Sequence, residues 1–152
     1  MKTIKELILK TKRLPIAKED REFYETSIRT PDAASRMARV VFEGLDEECF
    51  VVVPVDVRNK PMGIQTVAKG GPDSCHVDPR SVFRAAILLG AAGVIVAHNH
   101  PSGSVSPSEE DKLLTCRLVS GGKVLGVTIL DHLILTEEDH LSLREAFPSL
   151  FE

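Results

Sequence analysis

An α/β fold, with a mixed β-sheet flanked by helices, is what this sequence predicts. Three features predict it. Two short β-branched runs, Phe50-Val51-Val52-Val53 and Gly93-Val94-Ile95-Val96-Ala97, read as strands, and the second is apolar throughout, as a strand covered on both faces must be. Around them, apolar residues recur at helical spacing over 31–43, 79–90 and 107–120. Pro31, Pro79 and Pro107 stand at expected first helical positions, and glycines follow the expected ends. The 152 residues, 43% hydrophobic and 27% charged, suffice for one domain with its own core.

Taken in order, residues 1–30 are charge-rich, with Pro15 and the run Lys18-Glu19-Asp20-Arg21-Glu22, and read as an N-terminal arm. Within it Ile4, Leu7 and Ile8 are spaced for a short amphipathic helix. The domain proper is placed at 31–152. Thr30-Pro31-Asp32 opens a helix with Ala34, Met37, Ala38 and Val41 on one face, ending at Gly44. Residues 50–57 form a strand in which Pro54 indicates an edge position or a bulge. After a turn at 58–61, residues 62–68 return as the second strand of a hairpin. Asp78-Pro79-Arg80 opens a helix whose core stripe is Val82, Phe83, Ala86 and Ile87. The strand from Gly93 ends where His98 begins. Ser106, Pro107 and Glu109 read as N-cap, first and third positions of a helix that Gly121-Gly122 should stop. Residues 123–136 hold one long or two short strands around Asp131-His132, and 141–147 closes the domain.

Several function classes are disfavoured by composition. With 19 basic and 22 acidic side chains the net charge is −3, so no global attraction to DNA or to an anionic membrane is expected. Cys49, Cys75 and Cys116 are scattered without a CxxC, which argues against a disulfide framework or a thiolate zinc site and for a reducing, cytoplasmic setting. The first fifteen residues interleave charges through their apolar positions, so neither a signal peptide nor a membrane span is expected.

The chemistry concentrates in His98-Asn99-His100-Pro101-Ser102-Gly103-Ser104-Val105-Ser106-Pro107-Ser108-Glu109-Glu110-Asp111. Histidines two apart in an extended segment project to the same side. Ser108 and Asp111, three apart at a helix start, share a helix face. Strand end, loop and helix start can thus converge two imidazoles, a carboxylate and a hydroxyl. Two nitrogens and an oxygen suit zinc, and three protein ligands leave a position for water. The competing reading is that Ser108-x-x-Asp111 is a capping box, although Ser106 with Glu109 offers a better one.

The pattern His98-x-His100-x(7)-Ser108-x-x-Asp111 resembles the JAMM signature of the JAB/MPN metallopeptidases, without gaps. Pro79-Arg80 with Val82-Phe83, the segment 97–103, the Pro107-Ser108 pair and residues 130–135 are similar to the bacterial RadC-type JAB domain, over about residues 31–146. The resemblance implies a three-layer, cytidine-deaminase-like architecture. It implies one zinc per chain held by His98, His100 and Asp111, with water in the fourth position. It also implies an upstream glutamate that carries a proton from that water to the leaving amine; the matching position is Glu48, with Glu47 and Glu43 close enough to compete for the register. Ser108 would donate to the developing oxyanion or orient the water, or else remain a first-turn hydroxyl bonded to backbone. His132 is either a partner behind a zinc ligand or a core residue. His76 reads as loop and His140 as a charged turn without chemical company.

These readings together lead to the expectation of a zinc metallopeptidase acting on peptide or isopeptide bonds, with a protein or peptide substrate such as a small protein tag. The alternative is a RadC-like non-catalytic or DNA-repair-associated module in which zinc is structural. The helix-hairpin-helix domain usual in RadC-type proteins has no counterpart in residues 1–30, and the negative charge does not favour DNA. A deaminase is weaker still, because its signature needs a glutamate two residues after its histidine and a cysteine pair, neither of which is here. Oligomeric state is not legible.

Overall fold

The computed structural model describes residue 10 and residues 24–70 and 76–152. The expected helix at Ile4, Leu7 and Ile8, most of the 1–30 arm and Cys75 lie outside those residues. The elements are α1 (Pro31–Phe42), β1 (Cys49–Val55), β2 (Gln65–Lys69), α2 (Pro79–Leu89), β3 (Gly93–Asn99), α3 (Glu109–Leu125), β4 (Thr128–Leu135), β5 (His140–Ser142) and α4 (Leu143–Ala146), with a closing 3-10 turn at Pro148–Phe151.

Five strands form one mixed sheet in the order β2-β1-β3-β4-β5. Only β3 and β4 are parallel, and α3 is the crossover that a parallel pair requires. Every residue of β1 and β3 is buried, because helices cover both faces of the sheet. On one face Phe50, Val52, Val94 and Val96 pack under α2 and α3, through Val82, Phe83, Ala86 and Leu118. On the other, Val51, Val53, Ile95, Ala97 and Leu133 pack under α1, through Ala34, Met37 and Ala38. This is the expected α/β arrangement in three layers. Ile28 is buried too, and its N–H donates to the Asn59 carbonyl at 2.8 Å, so the packed body reaches back before Pro31.

Several local expectations are corrected. Strand β1 is interior, not an edge. Pro54 is tolerated because β2 pairing ends at Gln65 opposite Val52, so no β2 residue needs the N–H that proline lacks; its carbonyl accepts from Met62 N at 2.8 Å. In α2 the buried side is Val82, Phe83, Ala85 and Ala86, while Ile87 is exposed. Helix α3 starts with Ser108 as N-cap, not Ser106, and runs through Gly121-Gly122 to a left-handed Gly126. Those internal glycines serve close approach. A Cβ on Gly121 would lie 3.1 Å from the Phe83 ring, and one on Gly122 only 2.3 Å from the Val127 carbonyl oxygen. Residues 123–125 consequently belong to the helix.

Strand β4 is single. Its register moves from Val94 opposite Ile129 to Ile95 opposite Asp131, a bulge at Leu130. The Arg144 guanidinium donates to the Ile129 and Leu130 carbonyls there, at 3.3 Å each. His140 does have company, an approach of 3.4 Å to Asp32 on α1. His76 is exposed in a loop, as expected. Among the described residues no helix is long and apolar enough to cross a membrane.

Candidate metal centre

The site forms where β3 ends. His98 is the next-to-last residue of the strand, only 3% exposed, with its ring stacked on Phe50 at 5.8 Å. His100 follows the strand, and its N–H donates to the Leu135 carbonyl at 2.7 Å, which extends the β3–β4 ladder and keeps the two imidazoles on one side. The Nε2 atoms of His98 and His100 face each other at 2.9 Å.

Asp111 arrives from the first turn of α3. Its two oxygens have different tasks: Oδ1 stands 3.2 Å from His98 Nε2, while Oδ2 accepts from Ser108 N and Ser108 Oγ at 2.8 Å each and lies 3.7 Å from His100 Nε2. The capping box of α3 is therefore made by Ser108 and Asp111. The capping reading and the metal reading of these residues are compatible, since the cap holds Oδ2 and leaves Oδ1 facing His98. Ser108 spends its hydroxyl proton on Asp111 and accepts from Asp111 N at 3.1 Å, so in this geometry it holds the carboxylate.

Glu48 sits immediately before β1. Its Oε1 is 3.9 Å from His100 Nε2. Of the competing glutamates, Glu47 pairs instead with Lys69 at 3.3 Å, and Glu43 is the C-cap of α1.

Hydrogen bonding decides where the imidazole protons lie. His100 Nδ1 is 2.8 Å from the Ser104 carbonyl, which can only accept, so Nδ1 carries the proton and Nε2 a lone pair. Behind His98 runs a chain: Thr115 Oγ1 donates to the Asp111 carbonyl at 2.7 Å and lies 2.7 Å from His132 Nδ1, and His132 Nε2 lies 2.9 Å from His98 Nδ1. With the Thr115 proton spent, His132 donates from Nδ1 and accepts at Nε2 from His98 Nδ1–H. His98 is left with its Nε2 lone pair facing the site, the state in which a metal-ligating histidine is held by its other nitrogen. His132 is a fully buried partner behind a candidate ligand.

Two ring nitrogens and a carboxylate oxygen thus converge on one point, an arrangement that a metal cation can satisfy. Tetrahedral zinc ligands, each about 2.0–2.1 Å from the metal, lie roughly 3.3 Å apart. The two ring nitrogens are 2.9 Å apart, Asp111 Oδ1 is 3.2 Å from His98 and Oδ2 3.7 Å from His100, and one ligand atom from each residue lies within 4.8 Å of the others, so His98, His100 and Asp111 could hold one metal ion.

Without a metal, a proton between His98 Nε2 and Asp111 plays the part of the cation: burial alone would raise the Asp111 carboxyl, but the hydrogen bond and charge of His98 in that state, with the Ser108 N–H and O–H, outweigh it and hold the group well below the usual carboxylate range. His132 is held neutral, pushed well below the ordinary histidine value first by burial and then by the neighbouring His98. Asp131, on the opposite face, is raised by burial despite bonds from Ser142 Oγ, Arg144 N and His132 N.

Two residues of this neighbourhood escaped the sequence reading. Thr115 stands at i+4 from Asp111, a spacing that places it on the same helix face. Asn99 lies between the two histidines, and only its partners in space reveal its part.

Such a fold and such a site define a JAB-type α/β domain with a candidate JAMM-type metal centre. The sequence model of the RadC-like JAB domain matches residues 28–147, and the chain belongs to that family. It is 43% identical over 121 residues to a UPF0758 protein of Trichormus variabilis, covering 80% of this chain and 50% of the relative. Others are UPF0758 proteins of Caldanaerobacter subterraneus, 37% identical over 134 residues (88% and 56%), and Thermotoga maritima, 44% identical over 101 residues (66% and 46%). The chain spans about half the length of these curated relatives.

Proposed function

We propose that this chain is a zinc-dependent metallopeptidase of JAMM type, hydrolysing peptide or isopeptide bonds in a protein or peptide substrate. The observation that carries the reading is the convergence of the His98 and His100 ring nitrogens with the Asp111 carboxylate, with Glu48 3.9 Å from His100 Nε2. Zinc bound there supplies a Lewis acid that brings the pKa of a water towards neutrality. Glu48, 3.9 Å from the site-facing Nε2 of His100, would take a proton from the attacking water and deliver it to the departing amine nitrogen, which cannot leave unprotonated. Ser108 keeps Asp111 aimed, and His132 with Thr115 keeps the His98 lone pair directed into the site.

A purely structural zinc would be closed by four protein ligands. Among the described residues three group here, and His100, Asp111 and Glu48 are partly accessible, which supports an open, reactive position. A small protein tag or the tail of a partner is a substrate of suitable chemistry.

The test is Glu48→Gln, assayed on a panel of peptide and isopeptide substrates. The variant should bind zinc as the unsubstituted protein does and lose turnover by on the order of a hundredfold or more, the usual worth of a positioned general acid–base. Unchanged turnover of a cleaved substrate would remove Glu48 from the mechanism.

A further inference from the structure

Glu48 lies beyond the last β1–β3 pair, Phe50 opposite His98, so the ladder of that pair does not position it. The Asn99 side chain does. Its Oδ1 accepts from Cys49 N at 2.7 Å, and its Nδ2 donates to the Glu47 carbonyl at 3.0 Å. The amide fork grips the backbone immediately before and after Glu48. On the other flank, Gly70 N donates to the Glu48 carbonyl at 2.9 Å.

We propose that Asn99 is a positioning residue for Glu48: lying between His98 and His100, it ties the proton-carrying glutamate to the end of β3, which two of the candidate metal ligands flank. This inference rests on the metallopeptidase reading for its catalytic meaning. The chemistry of the fork selects asparagine. One acceptor and one donor are needed about a residue apart, facing an N–H and a carbonyl. An ionised aspartate would set a second acceptor against the Glu47 carbonyl, and serine is too short to span both. Asn99 is only 6% exposed, so water competes poorly for either bond. Because the clamp lies directly between two of the candidate ligands in the chain, a shift of that strand end carries Glu48 with it. Catalytic geometry tolerates errors of less than about 1 Å, which makes such a coupling consequential.

The probe is cobalt(II) bound in place of zinc, with the pH dependence of its visible spectrum read in unsubstituted protein, Glu48→Gln, Asn99→Ala, Asn99→Ser and Asn99→Ala/Glu48→Gln. Asn99 is not a ligand, so its variants should take up one cobalt. A carboxylate beside the metal's open position opposes loss of a proton there. Its removal in Glu48→Gln lowers the midpoint, and its displacement in the Asn99 variants should move the midpoint the same way. The double variant should move no further than Glu48→Gln alone. An unmoved midpoint in both Asn99 variants, or additive shifts in the double variant, would overturn the proposal.

Amide exchange supplies the second readout and also covers the case where a variant folds poorly. In the unsubstituted protein the Cys49 amide and the Asn99 side-chain amide should exchange slowly; free exchange of the Asn99 amide overturns the clamp. In Asn99→Ser the Cys49 amide should exchange about tenfold faster, the usual worth of one hydrogen bond, with β3–β4 amides unchanged. Failure of the unsubstituted protein to take up cobalt would overturn the metal reading instead, and exchange at Cys49 would still decide the clamp.

Discussion

Replacing His132 by leucine separates the part of this site that orients a ligand from the part that is a ligand. The two side chains are similar in size, so the buried volume is largely kept. What is lost is the Nε2 acceptor 2.9 Å from His98 Nδ1 and the Nδ1 donor 2.7 Å from Thr115 Oγ1. His98 then has two poor options. With its proton on Nδ1 it buries an unsatisfied donor, at a cost of about 1–3 kcal/mol. With its proton on Nε2 it points an N–H at His100 and offers the metal nothing. Either way the metal-competent form of His98 is penalised. Zinc affinity should fall by about 10–100-fold, the range found when a partner behind a metal-ligating histidine is removed. Competition with a chromophoric chelator measures this, alongside urea denaturation of the metal-free protein. Thr115→Val should act in the same direction and more weakly, since it leaves His132 itself in place. Zinc affinity within about a factor of two of the unsubstituted protein, in a His132→Leu variant that folds, would refute the assigned proton order.

The same geometry carries two further expected outcomes. Gly122→Ala places a Cβ 2.3 Å from the Val127 carbonyl oxygen, which is backbone and gives way only if the end of α3 moves; chemical denaturation should show a loss of about 1–3 kcal/mol with the midpoint lowered. In the metal-free protein, His132 is held neutral below its ordinary value of 6.5, so under acidification the unfolded chain binds a proton that the folded one refuses. Stability attributable to His132 is therefore present above pH 6.5 and lost below it, by roughly 1 kcal/mol per pH unit, until the folded value is reached. Asp111, lowered beneath 3.8, adds to the loss further into acid, whereas Asp131, raised above 3.8, opposes it. His132→Leu should flatten the slope just below pH 6.5, and an unaltered slope would contradict the buried neutral histidine.

How much of this was legible in the sequence depended on whether a signal was local. The period-2 projection of His98 and His100 and the helical proximity of Ser108 and Asp111 are fixed by neighbours in the chain, and so those four residues group from the sequence alone. The register of Glu48 over Glu47 was not local. It depends on Lys69 of β2 drawing one carboxylate away and on Asn99 gripping the backbone from β3. Gly121-Gly122 looked like a helix stop because glycine usually ends helices. Here tertiary packing against Phe83 and Val127 overrides that preference. Pro54 misled for a related reason, since its meaning depended on where β2 stopped pairing. Ser106 has capping chemistry equal to that of Ser108, and the choice fell to the residue whose partner, Asp111, is also drawn to His98. Thr115 and His132 are far apart in sequence, and their chain exists only because β4 lies beside β3 with α3 across them.

Elemental analysis of the purified protein reads directly whether His98, His100 and Asp111 hold one metal ion. About one zinc per chain is expected in the unsubstituted protein and essentially none in His98→Ala/His100→Ala, consistent with a site built from three protein ligands. Absence of zinc from the unsubstituted protein even after zinc is supplied, or its full retention in the double variant, would contradict it.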